Sequence, residues 1–217
     1  MNKTGIRFNA YQVKSNAVLY HVYTEKYGPP TFNDSGRGLR RFDPIFKPDG
    51  SVIASYYAAF SDLVALNETV IRFNDSNYPQ LSWRPETSQE ISDGLTTSLC
   101  QVMVKRPLQL IDLESLEDMQ GNKPIESLLH SDETAYPKLH SLAEYLAHNF
   151  EQYDGLIWDS YQRGTPGERA VLLFGHKVKT TDLHISAHDA LNSAGNLDRL
   201  RDAIRATGCI VPEWLLR

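Results

Sequence analysis

The chain has 217 residues, a formal net charge of −5, 41% apolar and 23% charged residues, and two cysteines. This balance fits one globular domain with a substantial core and speaks against a nucleic-acid binder, which presents a basic face. No apolar run approaches the roughly 20 residues that cross a bilayer, and the first residues lack the apolar stretch of a secretory signal; Cys100 and Cys209, in apolar surroundings, read as buried thiols of a reducing cytoplasm.

In chain order, Leu19-Tyr20-His21-Val22-Tyr23 predicts a strand, and the breakers from Gly28-Pro29-Pro30 to Gly36-Arg37-Gly38 predict a loop. Ser51 to Tyr57, aromatic and β-branched, predicts a second strand. Ser61 then caps a short helix that carries Glu68. Residues three and four apart share one side of a helix, which sets Glu68 beside Val64, Ala65 and Ile71, with Arg72 one turn on. A carboxylate in that apolar setting must be paired or used, because burying an unpaired charge is expensive. Residues 73–97 are polar and without period, and read as a surface insertion.

Leu99 to Val104 predicts a strand buried on both faces. Leu139, Leu142, Ala143, Leu146 and Phe150 recur at helical spacing just after Pro137. Asp154-Gly155 turns into the strand Leu156-Ile157-Trp158-Asp159-Ser160, and a Gly/Pro loop at 163–167 leads to the strand Val171–Phe174. The tail, 189–217, reads as helical, with Asn196 as cap, Leu197, Leu200 and Ile204 on one face, and Gly208 as the stop. Strands separated by short helices and long loops predict a single mixed α+β domain over residues 1–217.

Common catalytic motifs are missing: there is no GxGxxG after a strand, no phosphate-binding P-loop and no G-x-S-x-G elbow. His184 and His188 stand four apart, but the segment is strand-like and lacks further ligands, so no metal site is expected. The loop Arg37-Gly38-Leu39-Arg40-Arg41 is more suggestive, since glycines admit an anion to the backbone and guanidinium groups grip phosphates bidentately. Taken singly, each of these residues has a plainer explanation: a solvated loop for the arginines, an ion pair with Arg72 for Glu68, a core ring for Tyr57, and an edge hydroxyl for Ser160.

Their order changes that balance. An Arg-Phe-Asp-Pro segment at 41–44 is followed by a strand containing Tyr57, then by Ala65-Leu66-Asn67-Glu68, then by Tyr153-Asp154-Gly155 closing on Ser160. This succession, from about residue 19 to 174, resembles the RES family of bacterial toxin–antitoxin toxins, named for its Arg, Glu and Ser. The family has a Gly-Arg-aromatic-Asn/Asp-Pro segment, a strand ending in Tyr, an Ala-x-x-Glu helix, and a Tyr-Asp-Gly segment before the Ser. This chain departs at Leu39-Arg40, where the family has Gly-Gly, so Arg37 and Arg40 stand as alternatives to Arg41. It also has His21 where many members have Arg, and Trp158-Asp159 before the Ser.

The resemblance implies an ADP-ribosyltransferase-like fold, a split and twisted pair of β-sheets flanked by helices, with NAD as substrate in the cleft and no prosthetic group or metal. It implies scission of the nicotinamide–ribose bond, by hydrolysis or phosphorolysis. Glu68 would stabilise the oxocarbenium-like sugar, Arg41 (or Arg40 or Arg37) would clamp the pyrophosphate, Tyr57 would wall the nicotinamide, and Ser160 would hold the ribose or orient Glu68. It further implies a cytoplasmic protein without membrane or direct nucleic-acid contact. An Xre-type helix-turn-helix antitoxin from an adjacent gene would neutralise it, in a complex compatible with a toxin homodimer. Two other readings stay open: ADP-ribosylation of a protein acceptor, and a non-catalytic interaction domain in which Glu68 only pairs with Arg72.

Overall fold

A computed structural model describes residues 5–37, 40–72, 80–81, 83–118, 126–129, 133–160 and 168–216. The chain opens with strands β1 (Ile6–Arg7), β2 (Ala10–Val13) and β3 (Val18–Thr24). Asn16, in the left-handed region at φ 67°, makes the turn into β3, a conformation that its short polar side chain tolerates. The segment expected as one strand at 51–57 is two, β5 (Val52–Ile53), paired with β4 (Ile45–Phe46), and β6 (Ser55–Ala59). The break falls at Ala54, whose carbonyl accepts a hydrogen bond from the Gly175 amide at 2.7 Å. Helix α1 (Asp62–Thr69) follows, then the two-residue strands β7 (Ile71–Arg72) and β8 (Gln80–Leu81), which pair with each other.

The stretch expected as a surface excursion is partly anchored. Its residues 73–79 and 82 lie outside the described residues. Beyond them Trp83 is buried, and the Glu86 carboxylate accepts hydrogen bonds from the Trp83 indole and the Thr97 amide, each at 2.8 Å. Helix α2 (Ser88–Ser92) then starts on a Thr87–Glu90 capping box. Strands β9 (Thr97–Val104), β10 (Leu108–Asp112) and β11 (Glu117–Asp118) lead to α3 (Glu126–Leu129) and α4 (Tyr136–Asn149). Pro137 sits in the first turn of α4, where its missing N–H is harmless. Strands β12 (Gly155–Asp159), β13 (Arg169–Phe174) and β14 (Leu183–Ala190) precede α5 (Ala194–Ala206). The loop expected at 163–167 lies outside the described residues.

The cap of α5 is Ser193, not Asn196: the Ser193 hydroxyl accepts from the Asn196 amide, and the buried Asn196 side chain donates to the carbonyls of Asp189 and Ala190 at 3.1 and 3.0 Å. Gly208, at φ 72°, ends the helix as expected. Among the described residues, no helix is long and apolar enough to cross a membrane.

Eight strands form one curled sheet in the order β14-β9-β3-β6-β13-β12-β10-β2. All neighbours are antiparallel except β10 and β12, whose parallel pairing requires the long crossover through α3 and α4. Alternate side chains serve two cores. Tyr57, Ala59, Leu156, Trp158 and Leu172 meet the helices α1, α4 and α5, while Tyr56, Ala58, Ile157, Val171 and Leu173 pack on the other face with Leu19 and Val102. The architecture is thus α+β, as anticipated, but its main strands form one continuous eight-stranded sheet rather than the expected split pair.

The sheet has one seam. Strand β3 pairs with β9 from Val18↔Met103 to Thr24↔Thr97, yet it meets β6 at a single position, Tyr20↔Ala59. Beyond that rung the two strands diverge, and the space between them is the candidate site.

Candidate functional site

Two cavities lie along the seam. The larger, of about 350 Å³, is lined by His21, Val22 and Tyr23 of β3, by Ser55 and Tyr57 of β6, and by the loop that carries Asn33 and Arg40. The smaller, a crevice of about 10 Å³, lies between Tyr20, Val22, Tyr57 and Ala58 on the sheet and Ala65, Glu68 and Thr69 of α1. Val22 and Tyr57 line both, so Tyr57 is the wall between them.

Glu68 reaches the crevice because α1 starts where it does. The Ser61 hydroxyl accepts the Val64 amide at 3.3 Å, and Val64, Ala65, Leu66 and Asn67 are buried. Two turns on, Glu68 is half-buried at the open end of that face. The helix stops at Thr69, and Arg72 belongs to the following strand, so the expected same-helix ion pair is not the arrangement; the Arg72 side chain itself lies outside the described residues.

Ser160 closes β12. Its amide donates to the Glu168 carbonyl at 2.8 Å, across the base of the connection to β13. Its hydroxyl, on a residue only 4% exposed, donates to Glu68 Oε1 at 2.8 Å. Two residues ninety-two positions apart are therefore joined directly. A hydroxyl fixed in this way orients the carboxylate.

Tyr57 is equally constrained. Its hydroxyl accepts the Phe42 amide at 2.9 Å, and burial, with the Asp43 carboxylate nearby, pushes its pKa well above the usual phenol value. It is therefore a neutral wall. Asp43, 2% exposed, accepts from Asn33 Nδ2 and Ser55 Oγ, each at 3.1 Å, and so ties the arginine loop to β6.

The arginines part company. Arg40 places its guanidinium over the Tyr57 ring, 5.1 Å from the centroid, and lines the larger cleft. Arg41 turns away, donating to the Leu129 carbonyl and lying 5.8 Å over Tyr136. Arg37 is exposed and does not line the cleft. Of the three, the structure brings Arg40 to Tyr57.

His21 is a cleft residue to which the sequence reading gave no role. Its Nδ1 stands 2.5 Å from the Tyr57 carbonyl. A carbonyl only accepts, so Nδ1 carries the proton. Burial, reinforced by the Arg40 charge and opposed by this hydrogen bond, lowers the imidazole pKa to about 3. The ring is neutral, packed against Tyr56 with centroids 4.1 Å apart and planes tilted by 31°, and its Nε2 is an acceptor. Alternation along β3, which puts His21 on the face opposite Tyr20 and Val22, was the available signal. Among the described residues no group of His, Cys, Asp or Glu could hold a metal ion. His184 and His188 lie along β14, and four residues of strand separate them by about 13 Å.

These elements form an oriented, half-buried carboxylate at a narrow crevice, a neutral aromatic wall, and a cation and hydrogen-bonding groups in the adjoining cleft. The family model for the RES domain matches residues 18–192, and the chain belongs to that family. Its fold is similar to that of a chain in the crystal structure of the M. tuberculosis MbcT–MbcA toxin–antitoxin complex, at a TM-score of 0.51 and 12% identity, covering 87% of this chain and 91% of that one. No curated protein matches the chain in sequence.

Proposed function

We propose that this RES-domain chain is the toxin of a toxin–antitoxin pair and that it consumes NAD by breaking the nicotinamide–ribose bond. The observation that carries the reading is the Ser160–Glu68 hydrogen bond at 2.8 Å, set in the crevice walled by Tyr57. When the C1′–N bond breaks, its electron pair leaves with nicotinamide as a neutral ring, and the ribose takes up positive charge. That leaving group needs no proton, so the main demand is an anion beside the sugar, strongest where water is scarce. Glu68 meets it, with Ser160 fixing its orientation.

Tyr57 walls the departing ring, and Arg40 takes the pyrophosphate in the larger cleft, with Arg41 supporting the loop from behind. Water as nucleophile would give ADP-ribose and a proton; phosphate would give the ribose-phosphate product; a protein side chain would give an ADP-ribosylated acceptor. NAD is a substrate in this scheme, not a resident cofactor. The fold relative comes from a toxin–antitoxin complex, which supports a protein partner for this chain; an Xre-type antitoxin encoded alongside, with both proteins in the cytoplasm, is the reading.

The test is to incubate purified protein with NAD and identify every product. Nicotinamide release, with the ADP-ribose moiety found free, as its phosphate ester or on protein, supports the reading and names the nucleophile; intact NAD after prolonged incubation sinks it. Expression of the chain alone should arrest growth, and co-expression of the adjacent gene should restore it.

A further inference from the structure

We propose that Glu168 is a positioning residue, tying the start of the helix that carries Glu68 to the end of the strand that carries Ser160 and so holding those two side chains in contact. The catalytic consequence rests on Glu68 being the reacting carboxylate; the structural one does not. Glu168 makes two connections with different atoms. Its backbone carbonyl accepts the Ser160 amide at 2.8 Å, and its carboxylate oxygen Oε2 accepts the hydroxyl of Ser61, the N-cap of α1. The chain thus closes a circuit: Ser61 to Glu168, Glu168 to Ser160, Ser160 to Glu68, and Glu68 back along α1 to Ser61.

The neighbouring Arg169 stiffens the same corner. Its carbonyl accepts the Phe60 amide at 3.1 Å, and its guanidinium grips Asp159 at 2.8 Å and Asp112 at 3.2 and 2.8 Å. Residues 168 and 169 therefore hold both Phe60-Ser61 and Asp159-Ser160. From Ser61 to Glu68 the helix spans about 10 Å. A small rotation at its cap moves the far carboxylate by more than the few tenths of an ångström that a hydrogen bond tolerates. Apolar packing under Val64 and Leu66 resists separation of helix and sheet, but it is non-directional and does not fix that rotation. The Ser61–Glu168 bond does.

The experiment compares wild type, Glu168→Gln and Glu168→Ala. Gln keeps an acceptor oxygen for Ser61, and Ala removes it. Ser61→Gly serves as a second way to break the same bond, because glycine remains an acceptable N-cap. Crystal structures give a readout that does not involve NAD. The Ser160 Oγ–Glu68 Oε1 separation should stay near 2.8 Å in Glu168→Gln and exceed hydrogen-bond reach in Glu168→Ala and Ser61→Gly.

In steady-state assays of nicotinamide release, kcat should fall about 10- to 100-fold in Glu168→Ala, with KM nearly unchanged and Glu168→Gln close to wild type. An unaltered Ser160–Glu68 contact in both Glu168→Ala and Ser61→Gly overturns the inference, whatever NAD does. A lengthened contact with wild-type kcat also overturns it as a statement about turnover. A lengthened contact in a chain whose wild type ignores NAD upholds the tie and removes the NAD reading instead.

Discussion

His21 Nδ1 and the carbonyl oxygen of Tyr57 stand 2.5 Å apart, joining the two strands that diverge at the seam. The bond holds a neutral ring whose pKa burial has lowered from 6.5 to about 3. Between those values the unfolded chain binds a proton that the folded chain refuses. Stability therefore rises with pH across that window and is level above it, by up to about 1.4 kcal/mol per pH unit. The melting temperature of wild type should fall from pH 7 to pH 4, and more steeply than that of His21→Asn. Parallel profiles for the two proteins would remove His21 as the titrating group.

Glu68→Gln keeps the shape and loses the charge. Removing one placed electrostatic stabiliser lowers turnover by on the order of 100- to 1000-fold. NAD affinity should change much less, since the interaction strengthens as the sugar becomes positive. Calorimetric titration with NAD, a melting curve and nicotinamide release on the same preparation separate the effects. A folded Glu68→Gln protein that turns over like wild type would take Glu68 out of the mechanism.

Arg40→Lys and Arg41→Lys distinguish the two sides of the loop. Lysine at 40 loses the planar fork over Tyr57, and KM for NAD should rise by roughly 10-fold. Lysine at 41 retains a donor for the Leu129 carbonyl, and should shift KM less. The reverse order in a steady-state comparison would mean that Arg41, not Arg40, meets the pyrophosphate.

Gly155→Ala should damage folding rather than chemistry. A Cβ at this position would lie 2.0 Å from the Leu172 carbonyl oxygen of the adjacent strand, where backbone cannot give way. The overpacking cost is about 3 kcal/mol or more, visible as a large drop in melting temperature or loss of soluble protein. A variant that melts like wild type would contradict the register of β12 on β13.

The elements legible in the sequence are those with a strong apolar period. Leu19–Tyr23, Leu99–Val104, Leu156–Asp159 and Val171–Phe174 all fall inside strands, and the helix after Pro137 runs as expected. β14 was harder because it is an edge strand, and its polar, mostly exposed residues carry no clean alternation. The cap of α5 went to Asn196 because its side chain type suits the role, although Ser193 holds the position and Asn196 is buried against the strand before it. In the site, the order of Tyr57, Glu68 and Ser160 indicated a common location, and the structure gathers them. The loop gave no period to tell Arg40 from Arg41, because the chain turns at Arg41 and no strand or helix spacing runs through it. Glu168 was invisible, because its role depends on which backbone atoms come together after folding.

Helix α1 packs on β3, β6 and β13, and so lies across the seam that a single backbone rung bridges. It works as a stitch as well as a platform. The backbone ladder does not set how far β3 and β6 stand apart beyond Tyr20 and Ala59; the His21–Tyr57 hydrogen bond and the footing of α1, with Val64 and Leu66 buried beneath it, do. Erosion under that helix opens the sheet and displaces the carboxylate in one movement. Fold stability and turnover are consequently inseparable at Val64 and Leu66, and separable at Glu68, where the same helix meets solvent.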